Sequence, residues 1–371
     1  MRGFYSYKAC YLAGVLRLLH ESGLDAEVCS GREYLLARRM GLPPERIAWN
    51  AVSLSDDELE LAVHSGVSWL GVNSADDIER LSQVASSANR RVDVMIRIQP
   101  AGVPSAYLGP GSRLGFATDD DGAVRAAGSV LASDWLELRG VHSHTQVRQT
   151  DPGLHAEVVR ASLEFAGDLG RRTGHRLRTV SIGGGLACAE QMRRHGTNVT
   201  RFAAAVVAAR DEIDPTIELA LEPGRFLVSD TAVGLASVLS RTGSARHPWI
   251  IIDLGTQVLV PFEGREFEVR PATAGAPGSR DTEPTVTTGV GDRMSSYSGV
   301  ITAGAALPPD LGRGPVVVLD IGAYTTSVAQ RFMYGMPDVV LVDGADVEQL
   351  WRAEDDQRWV DQVIAQGGAG Q

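Results

Sequence analysis

The chain is poor in cysteine, with three in 371 residues, Cys10, Cys29 and Cys188, and none of them in a Cys-x-x-Cys pair. Three thiols cannot all pair with one another, which argues against a disulfide framework and fits a reducing compartment. Basic residues are in the minority, 35 Lys and Arg against 46 Asp and Glu, for a formal net charge of -11. An acidic surface is not drawn to phosphate backbones or anionic lipid, so nucleic acid and membrane are not expected partners. No apolar run approaches the length that spans a bilayer, and the N-terminus shows no basic segment followed by an apolar one. A cytoplasmic protein that needs no processing is expected.

What the sequence does contain is a rhythm. Gly3-Phe4-Tyr5-Ser6-Tyr7-Lys8 alternates large and small residues like a short strand and ends in a lysine. Residues 11–21 then place Leu12, Val15, Leu16, Leu18 and Leu19 mostly on one helical face, and Gly23 closes the helix. Strand-like runs recur at 25–30, 47–50, 69–73, 92–98, 138–144, 179–182 and 217–222, with helical stretches between them and Ser55 as an N-cap. The run at 92–98 is apolar enough to be buried on both faces, as parallel strands are. Eight strands alternating with helices predict an α/β fold, a (β/α)8 TIM-type barrel whose chemistry gathers at the C-terminal ends of its strands. Residues 102–115 read as a long Gly/Pro/Ser loop of the kind that is functional or disordered. Past Pro223 the pattern changes to short Val-rich runs (233–239, 249–253, 258–261, 315–320 and 339–342), which predict antiparallel strands of a second domain. The expected division is a barrel over residues 1–228 and a β-rich C-terminal domain over 229–371, with a disordered tail at 366–371.

A lysine at the end of a strand is ordinarily a solvated side chain. Lys8 gains weight because three other runs end in His144, in Gly183-Gly184-Gly185 and in Glu222. Glycines leaving a strand expose backbone N–H groups that can cradle a phosphate, although a plain glycine turn reads the same in isolation. Leu221-Glu222-Pro223-Gly224-Arg225 sets a carboxylate at the end of strand eight with a guanidinium three residues on; the ordinary alternative is a surface ion pair. His142 and His144 lie two apart on a strand, so both rings face one side, as two metal ligands do. In the amidohydrolase superfamily such a pair belongs to the first strand, and here it sits on the sixth. No metal is expected: His142 reads as a buried, hydrogen-bonded structural residue and His144 as the functional one.

Tyr5-Ser6-Tyr7-Lys8-Ala9, Val141-His142-Ser143-His144, Ser181-Ile182-Gly183-Gly184-Gly185, Leu221-Glu222-Pro223-Gly224-Arg225 and Gly322-Ala323-Tyr324-Thr325 resemble, in order, the motifs of the diaminopimelate/ornithine decarboxylase family. The resemblance covers nearly the whole chain. It implies an alanine-racemase-like barrel, pyridoxal 5'-phosphate (PLP) as cofactor, a small amino-acid-like substrate, and a homodimer with the active site at the interface. By the same resemblance Lys8 holds PLP as a Schiff base. Glu222 pairs with the pyridine nitrogen and keeps it protonated, so that the ring accepts electrons released at Cα. His144 stacks on the ring, and Gly183, Gly184, Gly185, Gly224, Arg225 and Tyr324 surround the phosphate. Arg97 resembles an arginine near the active-site carboxylates, and Ser30 and Glu33 match a further motif without an assigned role.

The departures matter as much. Family members commonly carry a segment before the lysine strand, and only seven residues precede Lys8 here. Where they often read His-x-Gly-Ser, this chain has His144-Thr145-Gln146-Val147, so a phosphate-binding serine is absent. The Cys-x-x-x-Asp motif of ornithine-type members, placed without gaps from Gly291, meets Met294 and Ser298; a second placement takes Asp292 as the acid and leaves Thr288 at the cysteine. The thiol is lost either way. The reading is a PLP-dependent decarboxylase of an amino acid or an amino-acid-derived biosynthetic intermediate. A racemase or epimerase, and a PLP-holding protein with little catalysis, are the alternatives that a shared fold does not separate. Expected substrate contacts are Arg97, Arg148, Met294 and Ser298, with Arg193 beside them, and ornithine and lysine are expected to be poor substrates.

Overall fold

The computed structural model describes residues 1–104, 113–261, 267–272, 286–309, 311–330 and 332–367. These fall into two compact units, one of Met1–Lys8 with Leu16–Leu227 and the other of Ala9–Val15 with Val228–Gln371. No helix among the described residues is long and apolar enough to cross a membrane.

The first unit is the barrel. Its strands are β1 (Arg2–Ser6), β2 (Asp25–Val28), β3 (Ile47–Trp49), β4 (Trp69–Val72), β5 (Val92–Gln99), a two-residue β6 (Phe116–Ala117), β7 (Leu136–His142), β8 (Thr179–Ser181) and β9 (Glu218–Leu221). Parallel pairing runs β4-β3-β2-β1-β9-β8-β7-β5, and a further pairing of β4 with β5 closes the ring; β6 hangs on the outer end of β5 and is not a barrel stave. Eight staves make a barrel just wide enough to be filled by side chains, and Phe4, Ala48, Trp69, Met95 and Ala220 fill it. Phe4 and Trp69 meet edge to face with centroids 4.7 Å apart, a geometry worth about 0.5–1.5 kcal/mol beyond the area buried.

The helices that return the chain are α1 (Ala13–Glu21), α2 (Gly31–Arg39), α3 (Asp56–Ser65), α4 (Ala75–Ser87), α5 (Gly122–Leu131), α6 (Pro152–Thr173), α7 (Ala189–Arg194), α8 (Val199–Ile213) and the single turn α9 (Arg225–Val228). Five of them begin on a side-chain oxygen that accepts a backbone N–H: Ser30 before α2, Ser55 before α3, Ser74 before α4, Asp151 before α6 and Asn198 before α8. The expected cap at Ser55 is therefore present, and Glu58 completes it as a capping box.

Most strands stop a residue or two short of the expected runs, and two of these ends bear on the site. β1 stops at Ser6 and Lys8 sits in a 3-10 turn, Tyr7–Ala9. β7 starts two residues early and stops at His142, which leaves His144 in the loop beyond. In both places a polar side chain turns toward partners at the barrel mouth, and the ladder ends where those contacts begin.

The second unit is β-rich. β10 (Gly234–Ala236), β11 (Val238–Ser244), β12 (His247–Ile252), β13 (Val269–Pro271), β14 (Val286–Asp292), β15 (Val300–Leu307), β16 (Val316–Val318), β17 (Val339–Asp343) and β18 (Asp346–Trp351) form sheets β10-β16-β13, β11-β12-β14-β15 and β17-β18. Its core includes Ile250, Ile252, Val290, Leu307, Val316 and Val318. Pairing is antiparallel as expected, except that β12 runs parallel to β14. The run at 258–261 is not a strand: Val258 and Leu259 are buried in a turn begun by hydrogen bonds to the carbonyl of Gly255. Ala9–Val15 belongs to this unit through Tyr324 N–H to Ala9 O (2.7 Å) and Tyr11 OH to Ser327 O (2.9 Å). A final helix, α10 (Asp356–Gly367), runs two residues into the segment expected to be disordered. Residues 368–371, like 105–112 of the long loop, lie outside the described residues.

Candidate active site

The barrel gathers its chemistry at the C-terminal ends of its strands. Glu222, one residue past β9, is buried at 5% exposure and meets two hydrogen-bond donors and a histidine ring. Ser181 at the end of β8 donates to Oε1 (2.6 Å), Asn50 after β3 donates to the same oxygen (3.0 Å), and His142 Nε2 lies 3.2 Å from Oε2. Asn50 is oriented in turn by Trp69 Nε1–H (3.2 Å), so the carboxylate is tied to the barrel core. Burial alone raises a carboxylate pKa. Here the His142 charge and hydrogen bond, the Ser181 hydroxyl and the charge of Lys8 outweigh it and hold Glu222 below the ordinary range. It stays ionised. A carboxylate offers about four acceptor positions, so capacity remains for a further donor.

His144 is set by the glycine loop. The N–H of Gly184 donates to His144 Nδ1 (3.1 Å), so the ring proton is on Nε2 and the imidazole is neutral. Burial first, then the electrostatic influence of Lys8, His142 and Arg97, together lower its pKa to about 3 against the pull of Glu222. Gly183 (φ 65°) and Gly185 (φ 90°) adopt the left-handed backbone that glycine tolerates. A Cβ at Gly183 would lie 2.5 Å from His144 Nδ1, and one at Gly185 would lie 2.2 Å from the carbonyl oxygen of Gln146. A side chain at Gly183 would thus displace the histidine, and one at Gly185 the backbone of Gln146.

A pH dependence follows. Between about 6.5 and about 3 the unfolded chain binds a proton at His144 that the folded chain refuses, so apoprotein stability must fall as pH drops through that window. At about pH 5 the loss from this residue is about 2 kcal/mol relative to neutral pH. His155, lowered to about 4 by burial, acts in the same direction. Denaturant titrations of wild type and His144→Gln at both pH values check this, and equal pH slopes for the two proteins would refute it.

Lys8 Nζ meets Glu27 Oε2 at 2.5 Å, Ser6 Oγ at 2.8 Å and Cys29 Sγ at 3.4 Å. Arg97 on β5 pairs in register with His142. Arg225 is buried at the start of α9. Arg148, with φ 50°, lies in the loop after β7, which is pinned to the glycine loop by Gln149 N–H to Gly185 O (2.8 Å). Arg193 is spent on an exposed ion pair with Glu190 on its own helix. Ser30 proves to be the N-cap of α2, and Glu33 accepts the N–H of Cys29 (2.7 Å).

The remaining residues lie in the second unit. Tyr324 takes a left-handed backbone, φ 51°. Met294 is buried and Ser298 is exposed, its hydroxyl 2.7 Å from that of Ser296. Asp292 is buried and already occupied: Oδ2 accepts from the N–H and hydroxyl of Thr256 (2.7 and 2.8 Å), and Oδ1 from the N–H of Met294 (2.9 Å). Asp292 thus closes its own loop. The sequence reading missed Ser6, Glu27, Cys29, Asn50 and Ser181. Their signal was polar character at the C-terminal end of a strand, the position where a barrel keeps its chemistry.

A family described as "Pyridoxal-dependent decarboxylase, pyridoxal binding domain" matches residues 1–229, more than half of the chain. The chain belongs to this family. Among named relatives, the diaminopimelate decarboxylase of Mycobacterium tuberculosis is 28% identical over 94% of this chain and 82% of its own length. Among solved structures, that of diaminopimelate decarboxylase from Methanocaldococcus jannaschii superposes with a TM-score of 0.86 at 22% identity, covering 98% of this chain and 84% of the other. That of the Helicobacter pylori enzyme complexed with L-lysine gives 0.84 at 20% identity, covering 98% and 90%. The protein is a PLP-dependent amino-acid decarboxylase by this membership, and the racemase and cofactor-holding readings are not favoured.

The residues of this decarboxylase fit the cofactor. Lys8 offers a primary amine, Glu222 an ionised carboxylate with an acceptor position left for a ring N–H, His144 a neutral ring, and the glycine loop a backbone without side chains. His142 and Glu222 face each other as partners.

Proposed function

We propose that Lys8, Glu222 and His144 carry the decarboxylation, and that the substrate is an α-amino acid, free or part of a larger intermediate, without a distal cation. The carrying observation is the buried Glu222, hydrogen-bonded by Ser181 and Asn50 and faced by His142, at the same barrel mouth as Lys8. Bound there, PLP supplies an electron-accepting ring for the charge left when carbon dioxide departs. Glu222, held ionised by His142 and Ser181, keeps a proton on the ring nitrogen. His144 presents a neutral face fixed by Gly184 N–H, and Lys8 binds the cofactor and exchanges with the incoming amine. Gly183, Gly184, Gly185, Gly224, Arg225 and Tyr324 are the proposed surroundings of the phosphate.

The substrate reading rests on residues 291–298. The named relatives act on diaminopimelate, but Met294 and Ser298 stand where ornithine-type members place a cysteine and an acid, and Asp292 is consumed by Thr256 and Met294. An ammonium buried without a carboxylate loses about 1–3 kcal/mol even when partly compensated, about fivefold to about 150-fold in rate. Neutral, acidic or extended amino acids should therefore release carbon dioxide faster than lysine, ornithine or diaminopimelate. Steady-state rates across such a panel test both parts. A clear preference for any of the three would sink the substrate reading, and no carbon dioxide from any member would sink the activity.

We further propose a cytoplasmic homodimer in which the loop at 291–298 of one protomer completes the site of the other. The three free thiols fit that compartment. Sedimentation of the active preparation checks the assembly, and a monomer that turns over would refute it.

A further inference from the structure

Ser6 and Lys8 are two apart on one chain segment, and Glu27 and Cys29 are two apart on the next. The parallel register of β1 and β2 sets Ser6 opposite Glu27, so all four side chains meet on one side of the barrel mouth. Around Lys8 Nζ stand Glu27 Oε2 at 2.5 Å, Ser6 Oγ at 2.8 Å and Cys29 Sγ at 3.4 Å. The hydrogens of two of these acceptors point elsewhere: the Ser6 hydroxyl donates to Glu27 Oε2, and the Cys29 thiol donates to Glu27 Oε1 at 3.0 Å. An ammonium carries three N–H donors and no lone pair, and here three acceptors meet it. A neutral amine has one donor fewer and would turn its lone pair toward an acceptor whose own hydrogen is committed. These three contacts are met in full by the charged form alone.

Resting on the proposed role of Lys8, we infer that Ser6, Glu27 and Cys29 form a dock selective for the protonated lysine amine. On losing its proton Lys8 would leave the dock and join the cofactor's aldehyde with release of one water, and it would return protonated when the substrate's amine takes its place. In that exchange a C=N bond to the cofactor would form at the substrate nitrogen as the C=N bond to Lys8 Nζ breaks. The three hydrogens shed by the incoming ammonium nitrogen would end on Lys8 Nζ, so hydrogens and charge balance. The dock is thus a positioning device that makes amine exchange directional.

Other charges face this lysine. Glu33 on α2 accepts the Cys29 N–H and is raised in pKa by burial. Glu222 is countered by His142 and Ser181, and His144, with Arg97 acting on it, is neutral. Burial, and after it the charge of Glu27, raises Cys29 well above the usual thiol range, so its hydrogen stays in place. Glu27, at 1% exposure, is the carboxylate in contact.

The test mixes apoprotein with pyridoxal 5'-phosphate across a pH series, follows capture by absorbance, and identifies the modified lysine by borohydride reduction and peptide mapping. Wild-type capture should rise with pH. Glu27→Gln should move the midpoint down by about one unit, making capture below it about tenfold faster. Cys29→Ala should shift it the same way by less, and Cys29→Ser, whose hydroxyl can donate and accept as the thiol does, should leave it in place. Coincident midpoints for wild type, Glu27→Gln and Cys29→Ala, or an upward shift, would overturn the dock. Should Glu27→Gln fail to fold, Ser6→Ala and Cys29→Ala decide by the same comparison. Wild-type protein that captures no cofactor on Lys8 would overturn the functional reading as well, whereas capture on Lys8 with unmoved midpoints defeats the dock alone.

Discussion

Lys8→Ala protein should fold, bind little cofactor and turn over at least about a thousandfold more slowly than wild type. The amine is held beside the reacting centre by the β1–β2 register, and a positioned intramolecular nucleophile is worth effective concentrations of about 10⁵–10⁸ M. A residual rate within tenfold of wild type would mean that another lysine or the free cofactor serves. Borohydride reduction of wild type gives the complementary result: the pyridoxyl label should map to Lys8, and its appearance elsewhere would remove that residue from the scheme. Because Phe4 and Tyr5 pack the barrel while Lys8 is half-exposed at the mouth, loss of its side chain should leave the fold intact.

Glu222→Gln should retain cofactor and lose turnover by about tenfold to about a hundredfold. The amide keeps the shape and can still accept from Ser181 and Asn50 through Oε1. It places an NH2 where Oε2 now faces His142, and it cannot hold a proton on the ring nitrogen by charge. A charge-assisted hydrogen bond of this kind is worth about 1.5–3 kcal/mol, and each 1.4 kcal/mol is a factor of ten in rate. Cofactor content by absorbance, measured beside turnover, separates this from unfolding. Wild-type turnover in the variant would remove Glu222 from the chemistry, and lost cofactor would recast it as a binding residue.

Much of the barrel was legible because its cause is local. Apolar runs such as 92–98 and helical spacings such as that of Leu12, Val15, Leu16 and Leu19 carry their own periodicity, and Ser55 caps its helix through atoms three residues away. Glu222 and the three glycines were legible for a second reason, since strand ends in a barrel converge on one mouth. Glu27 and Cys29 carried the same strand-end signal but became partners of Lys8 only through the Ser6–Glu27 register, which no single segment encodes. Asn50 and Ser181 likewise acquired a role only when β3, β8 and β9 brought them to one carboxylate. The run at 258–261 misled because buried valine and leucine serve a turn as well as a strand.

The sequence by itself determined the alternation of strands and helices, the glycine loop, the lysine and glutamate at strand ends and the departures at residues 291–298, all properties of residue type and short spacing. Tertiary structure alone decided that Asp292 is spent on its own loop, that His144 is neutral, that Ala9–Val15 belongs with the second unit, and that Lys8 is held by Ser6, Glu27 and Cys29. Each of these depends on which donor meets which acceptor across segments distant in the chain, and on how deeply the pair is buried. Closure of the barrel fixes both, and local periodicity carries neither.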